Sequence, residues 1–366
     1  MLINIQNIFI SQLNKIPFLK KKMLQIYDFY CKYTPLFVGH LTRNPAYIKN
    51  LWNSKVIAKP GTLGFKGGTF NPGVLALDEY NILLLAKAQI VPWFKARGKN
   101  KKFFMVGNPV AFILDNKSLK TKQSVVTTNI VGFPKKEEYA IEDFRLFKWK
   151  GKTMVNHSLI TKGTITGFVN QTLVRSAISI FNEKEKTLQF CALPKVDYPL
   201  QDSEKNWVYK ENGNQLLLFY SLNPYKVLVL KNEENFSFKT IINKMVSSKF
   251  TDPGGFGTLV SLSTNPIDYD DKYWLIVIHQ IEHKFTGRCY FHWAVLIDKL
   301  TLLPVKITSK PIFSGMGARG RTPGIRYISS VIKIENEILF FAGEGDVYLT
   351  VTKKSIVEIN DLFVGI

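Results

Sequence analysis

Residues 212–220 read Asn-Gly-Asn-Gln-Leu-Leu-Leu-Phe-Tyr, an Asn-Gly turn followed directly by an apolar run. Asn-Gly is a strong signal for a β-hairpin, because both residues tolerate the positive φ that a tight two-residue turn requires. Short apolar runs bounded by Gly, Pro, Asn and Asp recur after about residue 56, and convincing helical periodicity is scarce beyond residue 40. The pattern predicts an all-β protein.

Further strands are predicted on both sides of this hairpin, at residues 74–77, 81–86, 103–106, 111–114, 273–278, 290–297, 327–334 and 337–342. Groups of strands open at Asn71, Glu142, Glu204, Gly254 and Ile325, at spacings of 50 to 71 residues. Recurrence of β units near this length is typical of a propeller, in which each unit is a four-stranded blade. We therefore predict a five-bladed β-propeller over residues 56–366, closed by a strand from the chain before residue 70.

Residues 1–55 differ from the rest of the chain. Apolar and aromatic residues recur at helical spacing from Leu19 to Tyr33, around the run Lys20 to Lys22, which predicts a short basic amphipathic helical extension. Such a helix either packs on its own domain or lies on an anionic membrane. Because neither a signal peptide nor a run of about 20 apolar residues is visible, we expect a cytoplasmic protein, with peripheral membrane association as the alternative.

The chain has 49 Lys and Arg residues against 28 Asp and Glu, a formal charge of +21. This excess favours anionic partners such as a phosphorylated donor, an acidic membrane or an anionic polysaccharide, unless it only reflects an AT-rich genome. The three cysteines are far apart and form no CxxC pair, which argues against a disulfide scaffold and a structural zinc site. We expect no cofactor and no specific binding of nucleic acid, since no nucleic-acid module signature is visible.

Two charged runs stand at the start of predicted strands, Glu142-Asp143-Phe144-Arg145 and Glu204-Lys205-Asn206-Trp207. Ions rarely enter a β-rich core unpaired, so two such runs in successive units predict one central polar site. Strand alternation would place Asp143 and Arg145 on one face and Glu142 with Phe144 on the other. The alternatives are a buried Asp–Arg pair that joins blades, and a solvated turn at Glu204.

Three other segments carry weaker signals. His279-Gln280-Ile281-Glu282-His283 matches an inverted zinc-protease pattern, but that chemistry needs a helix and the flanks predict strands, so we expect a hairpin loop and no metal. His279 and Tyr290 remain candidate funnel residues. Residues 315–321 predict either a mobile basic loop over the site or a solvated loop between blades, and Gly345-Asp346 adds a carboxylate after a strand.

The sequence resembles the five-bladed propeller glycosidase superfamily over roughly residues 65–355, most of all the β-mannoside phosphorylases (glycoside hydrolase family 130) and related propeller β-mannosyltransferases. The resemblance rests on an ordered set of motifs: Asn71-Pro72, Glu142-Asp143-x-Arg145, Glu204-Lys205-Asn206-Trp207, Ser221-x-Asn223-Pro224, His279 and Gly345-Asp346. It implies that Asp143 is the acid and that Lys205 belongs to the phosphate site. Phe144 replaces the proline of the family motif, and Ser221-Leu222 replaces a His–Arg pair that grips phosphate, which argues against simple phosphorolysis.

These observations predict an enzyme that forms or exchanges a glycosidic bond, using a sugar or glycan acceptor and an activated, phosphate- or nucleotide-linked donor. The catalytic candidates are Asp143, Glu204 and Asp346, and the candidate substrate-binding residues are Asn71, Glu142, Arg145, Lys205, Asn206, Trp207, Asn223, His279 and Tyr290. One alternative is a glycoside hydrolase, in which Glu204 or Asp346 would face Asp143 across the funnel. The other is a non-catalytic lectin or a module that binds anionic polymers.

Overall fold

The computed structural model describes residues 25–26, 29–34, 36, 38, 54–90, 108–127, 130–133, 139–163, 171–284, 287–322 and 324–365. In chain order its strands are β1 (Lys55–Ala58), β2 (Gly68–Ala76), β3 (Asn81–Gln89), β4 (Asn108–Asp115), β5 (Thr121–Val126), β6 (Ile130–Val131), β7 (Tyr139–Trp149), β8 (Lys152–Gly163), β9 (Gln171–Asn182), β10 (Thr187–Ala192), β11 (Val208–Asn212), β12 (Gln215–Leu222), β13 (Tyr225–Asn232), β14 (Ser237–Lys244), β15 (Val260–Leu262), β16 (Ile267–Asp268), β17 (Tyr273–Lys284), β18 (Gly287–Asp298), β19 (Pro304–Thr308), β20 (Phe313–Ser314), β21 (Arg326–Ile334), β22 (Glu337–Glu344), β23 (Tyr348–Ser355) and β24 (Phe363–Gly365). Between the strands lie a 3₁₀ turn, Thr62–Gly64, and two short helices, Ser248–Thr251 and Ile356–Asn360.

The strands form five sheets, which we number along the chain. Their strand orders are β2-β3-β4-β5, β6-β10-β9-β8-β7, β11-β12-β13-β14, β15-β17-β18-β19-β24 with β16 and β20 at its side, and β1-β23-β22-β21. Strand β1 pairs antiparallel with β23, so the chain before residue 70 completes the fifth sheet. The all-β class and the propeller arrangement are therefore confirmed.

The core lies between neighbouring sheets. Five apolar clusters fill the spaces between the sheets, and each cluster contains residues of two neighbouring sheets. One of them joins the fifth sheet to the first and so closes the ring. Strand β2 lies against β7 and β21, β7 against β11, and β16 against β21, so these five strands, one from each sheet, surround one axis. Burying a Leu, Val or Phe side chain contributes about 1.5–3 kcal/mol, so these clusters hold the axial strands in place.

The helical extension is minor. Residues 29–34 are helical, with Cys31 and Thr34 buried, and the Gly320 N–H donates to the Cys31 carbonyl oxygen at 2.8 Å. This contact places the segment against the loop that precedes β21. The Lys20 to Lys22 run and the predicted strand at 103–106 lie outside the described residues. No helix in the described part of the chain is long and apolar enough to cross a membrane.

Candidate active site

A cavity of about 260 Å³ opens at one end of the axis, where β2, β7 and β21 begin. It is lined by Phe70, Asn71, Lys87, Gln89, Glu142, Asp143, Lys205, Asn206, His279, Arg288, Tyr290, Arg321, Ile325, Tyr327 and Asp346. Eight of the predicted site residues therefore meet here, drawn from all five sheets or the segments next to them. The sequence prediction of one central polar site agrees with this placement.

A β-bulge shapes each of the first two axial strands at the cavity. The register of β2 shifts between Phe70 and Gly73, and that of β7 shifts between Glu142 and Arg145. Asn71 and Asp143 lie inside these bulges with φ of 51° and 58°, in the left-handed region that few non-glycine residues adopt. Bulges redirect side chains near active sites, and here both residues line the cavity.

The bulge in β7 overturns the predicted alternation of faces. Glu142 and Asp143 both line the cavity, although consecutive strand residues normally point to opposite sides. Phe144 is fully buried in the apolar cluster between the first two sheets. The prediction that Glu142 shares a face with Phe144 is wrong, because it assumed a regular strand through this point.

Asp143 is buried, and the side-chain amide of Asn71 donates to its Oδ1 at 2.7 Å. Burial and the neighbouring Glu142 raise the pKa of Asp143, against the opposing effects of Lys205, Arg145 and Lys87. A buried carboxyl with a raised pKa in a cavity is a typical candidate for proton transfer. Asn71 is therefore placed to orient this carboxyl as well as to line the cavity.

Arg145 does not line the cavity. It is 1% exposed, and its guanidinium donates to the Ser263 carbonyl oxygen at 2.6 Å, the Asp143 carbonyl oxygen at 3.1 Å and Asn206 Oδ1 at 3.2 Å. It also hydrogen-bonds the Tyr327 hydroxyl. The predicted role of Arg145 as a substrate-binding residue is not supported, because this side chain joins the axial segments of different sheets and donates to Asp143 only at the backbone.

Of the charged run Glu204-Lys205-Asn206, only the last two residues line the cavity. The ammonium of Lys205 makes no hydrogen bond or ion pair with any residue that the structure describes. Glu204 is buried outside the lining, where the Tyr220 hydroxyl and the Gln201 N–H donate to its carboxylate at 2.7–2.9 Å. The expectation that Glu204 faces Asp143 across the funnel is therefore not supported.

Trp207 and Asn223 also lie outside the lining. Trp207 is 2% exposed and packs in the core between the second and third sheets, with its ring centroid 5.1 Å from that of Tyr220. It cannot serve as a platform for a sugar ring in this position. Asn223 is exposed in the turn between β12 and β13, beside Ser221, whose hydroxyl donates to the Pro224 carbonyl oxygen.

His279 and Tyr290 line the cavity as predicted funnel residues. Residues 279–283 belong to β17 rather than to a loop, because β17 and β18 continue as a paired hairpin to Lys284 and Gly287. His279 Nδ1 lies 2.7 Å from the Ser263 hydroxyl, and its ring stacks on Tyr290 with centroids 5.5 Å apart. Burial, with Arg145 and Lys205 nearby, lowers the pKa of His279 to about 3, so the imidazole is neutral.

The glycine-rich loop before β21 is anchored rather than solvated. Arg319 is buried, and its backbone N–H donates to Glu344 Oε2 at 3.1 Å. This anchoring holds Arg321 at the cavity, where it donates to Asp346 Oδ2 at 2.9 Å. Gly345 and Asp346 have φ of 56°, and Gly345 approaches the loop so closely that a Cβ there would lie 2.5 Å from the Arg319 carbonyl oxygen.

Sequence reasoning missed several cavity residues. Lys87 and Gln89 reach the site from β3, Arg288 from β18, and Tyr327 from β21. Lys87 is 3% exposed, and its ammonium lies 2.6 Å from Glu142 Oε2. The sequence signal that could have identified Lys87 is its position inside the apolar run of β3, because a lysine buried in a strand requires a carboxylate or another acceptor as its partner.

A larger cavity of about 650 Å³ occupies the opposite end of the axis, and it contains none of the predicted site residues. Three lysines line it, and each has a partner in the protein: Lys148 with Glu183, Lys210 with Asp268, and Lys333 with the Tyr269 carbonyl oxygen. The polar, strained end of the axis is therefore the candidate active site.

No family model matches the sequence, and no curated protein matches it. Solved structures with the same fold include a glycosyl hydrolase from Bacteroides ovatus (14% identity, 84% of this chain and 92% of that chain covered, TM-score 0.58). The β-1,2-mannobiose phosphorylase from Listeria innocua is similar over 84% of this chain and 96% of its own (14% identity, TM-score 0.54). A GDP-mannose-dependent mannosyltransferase from Leishmania mexicana covers 79% and 85% (9% identity, TM-score 0.50). The chain thus shares its fold with these solved structures.

Proposed function

We propose that this chain is a carbohydrate-active enzyme that forms or exchanges a glycosidic bond, with Asp143 as the proton-transfer group. We further infer that the five sheets are the five blades of its propeller. The observation that carries the proposal is the environment of Asp143, a buried carboxyl with a raised pKa, held by Asn71 in a left-handed bulge at a polar cavity. Solved structures of this fold include a phosphorylase, a hydrolase and a mannosyltransferase, which supports a sugar substrate.

The proposed reaction conserves atoms and charge. In transfer, the acceptor hydroxyl oxygen forms a bond to the anomeric carbon while the bond from that carbon to the donor phosphate oxygen breaks. Asp143 takes the acceptor proton, directly or through a sugar hydroxyl, and the phosphate leaves with the bonding electron pair. In the reverse direction Asp143 returns the proton to the glycosidic oxygen, and such proton transfer typically contributes about 10²–10⁴-fold in rate.

The donor anion is assigned to the cations at the cavity. Lys205 is exposed there and makes no hydrogen bond or ion pair within the described part of the chain, and Arg288 and Arg321 line the same space. Ammonium and guanidinium groups bind phosphate through charge-assisted hydrogen bonds.

Hydrolysis is the second candidate, because Asp346 lines the same cavity as Asp143 and supplies a second carboxylate. Incubation with GDP-mannose, mannose 1-phosphate or β-1,2-mannobiose, each with and without a mannose acceptor, separates the two functions. Free mannose released in water alone favours hydrolysis, and a new disaccharide that forms only with acceptor favours transfer.

The variant Asp143→Asn tests the proposal directly. We expect turnover of the same compounds to fall at least about 10²-fold, with the melting temperature and sugar binding nearly unchanged. The exposed Asp271, which lies outside the cavity lining, provides the matched control Asp271→Asn, and we expect full activity from it. Full activity in Asp143→Asn would contradict the assignment.

A further inference from the structure

A buried ion pair lies beside the candidate acid. Lys87 reaches from β3, the second strand of its sheet, and its ammonium lies 2.6 Å from Glu142 Oε2 and 5.7 Å from the centre of the Phe70 ring. The Lys87 side chain is 3% exposed, whereas Glu142 is 26% exposed towards the cavity. An almost fully buried lysine with one carboxylate partner strongly favours the ionised form of that partner.

Glu142 also directly precedes Asp143 in the chain, and the β7 bulge turns both carboxyls into one cavity. Two carboxyls that share a site do not readily ionise together, so a fixed charge on one keeps the proton on the other. Since Lys87 fixes the charge on Glu142, Asp143 binds a proton more strongly than an isolated aspartate does, which suits both the uptake of the acceptor proton and its return.

Other groups face Asp143 from the surrounding elements. The charged and titratable ones are Lys205, Arg145, Arg288, Arg321, Asp346, His279, Tyr290 and Tyr327. Arg145 donates to the backbone of Asp143, Arg321 donates to Asp346, and His279 is neutral. Glu142 is therefore the anion that acts most directly on the Asp143 carboxyl.

We propose that Lys87 and Glu142 form a positioning pair that sets the protonation state of Asp143, so that Glu142 acts through Asp143 rather than by binding sugar. The proposal rests on the role of Asp143 given above. The directions of the pKa shifts agree with it: burial and then Glu142 raise the pKa of Asp143, whereas Lys87 lowers that of Glu142 against the effect of burial.

The test is an NMR titration of the full chain labelled with ¹³C at aspartate and glutamate side-chain carboxyls, which needs no substrate. Asp143→Asn and Glu142→Gln assign the two resonances by their loss. In the wild type we expect Asp143 to titrate above the ordinary value of about 3.9. In Glu142→Gln its midpoint should fall by at least about one pH unit, a tenfold change in proton affinity.

Lys87 is tested in the same way. We expect Lys87→Gln to raise the Glu142 midpoint by at least about one pH unit, and Lys87→Arg, which keeps the charge, to leave it low. Glu183→Gln is the matched control, because it removes a carboxylate from another lysine pair, Lys148–Glu183, outside the cavity. It should not move the Asp143 midpoint.

An Asp143 midpoint that stays in place in Glu142→Gln, or a Glu142 midpoint that stays in place in Lys87→Gln, overturns the proposal. Either arm decides alone, so poor folding of one variant does not leave the question open. Because the titration measures protons and not turnover, its failure leaves the role of Asp143 standing, whereas an active Asp143→Asn variant removes that role.

Discussion

Replacing Arg145 with methionine separates a structural role from an anion-binding role. The guanidinium donates to two buried backbone carbonyls, those of Ser263 and Asp143, and to Asn206 and Tyr327. Each buried acceptor left without a donor costs about 1–3 kcal/mol, so the two carbonyls alone give about 2–6 kcal/mol. Removing a buried charge offsets part of this cost, so we expect the free energy of unfolding to fall by about 2–4 kcal/mol.

Urea unfolding of Arg145→Met, monitored by tryptophan fluorescence, measures this loss. The comparison variant is Lys205→Met, in which an exposed side chain is removed and the free energy of unfolding should change by less than about 0.5 kcal/mol. Calorimetric titration with inorganic phosphate and with GDP-mannose measures anion binding by the two variants. We expect Lys205→Met to lose more affinity for these anions than Arg145→Met does. An Arg145→Met variant of unchanged stability that no longer binds these anions would refute the reasoning.

Two further variants probe the neighbourhood of the site. Burial, with Arg145 and Lys205, lowers the pKa of His279 to about 3 in the folded protein. Below about pH 6.5 the unfolded chain therefore binds a proton at this histidine that the folded protein does not bind. The contribution of His279 to the free energy of unfolding is thus complete above about pH 6.5 and is lost as the pH falls towards 3. His279→Gln should therefore lose less stability over this window in urea unfolding at stepped pH, and an unchanged pH slope would count against it. Gly73→Ala would place a Cβ 2.9 Å from the backbone of Phe144 and Arg145, so we expect the free energy of unfolding to fall by about 1–3 kcal/mol. Gly365→Ala should be neutral in the same assay, because a Cβ there meets no atom of the described residues within 4 Å.

The strands were predictable because their signals are local. A tight turn does join β11 to β12 at this point, but its two residues are Gly213, at φ 57°, and Asn214, because Asn212 pairs with Gln215 as the last residue of β11. Apolar runs placed the other predicted strands in the described part of the chain for the same reason, since a turn and its flanking strands lie within ten or so residues of each other. The strand predicted at 103–106 stays a prediction. The recurrence of strand groups then indicated a ring of sheets.

The site was predictable only in part, because its geometry depends on irregular backbone and on partners distant in sequence. A bulge cannot be seen in an alternating pattern, so Glu142 was assigned to the wrong face. Glu204 and Trp207 are residue types that are common in sugar sites, yet both contact Tyr220 instead of the cavity. The Tyr220 hydroxyl donates to the Glu204 carboxylate, and the Tyr220 ring packs against Trp207. Lys87 lies fifty-five positions before its partner Glu142, and only the fold brings the two together.

One backbone feature links the sequence signal to the site. Asn71, Asp143, Asn206 and Asp346 line the cavity from four different sheets or their adjoining segments, and all four have φ between 51° and 64°. Asparagine and aspartate are the non-glycine residues that visit this left-handed region most readily, because their short polar side chains can hydrogen-bond locally.

Such a conformation persists only where the surroundings fix it, and the structure shows how this is done at Asn71. A Cβ on Gly343 would lie 2.3 Å from Asn71 Oδ1, so only a glycine at this position leaves room for the Asn71 side chain. The Asn71 amide is thereby held against Asp143. These four Asn and Asp residues thus adopt the left-handed backbone of bulges and connecting segments and also supply polar lining of the cavity, which explains why motifs of low individual specificity converge on one site.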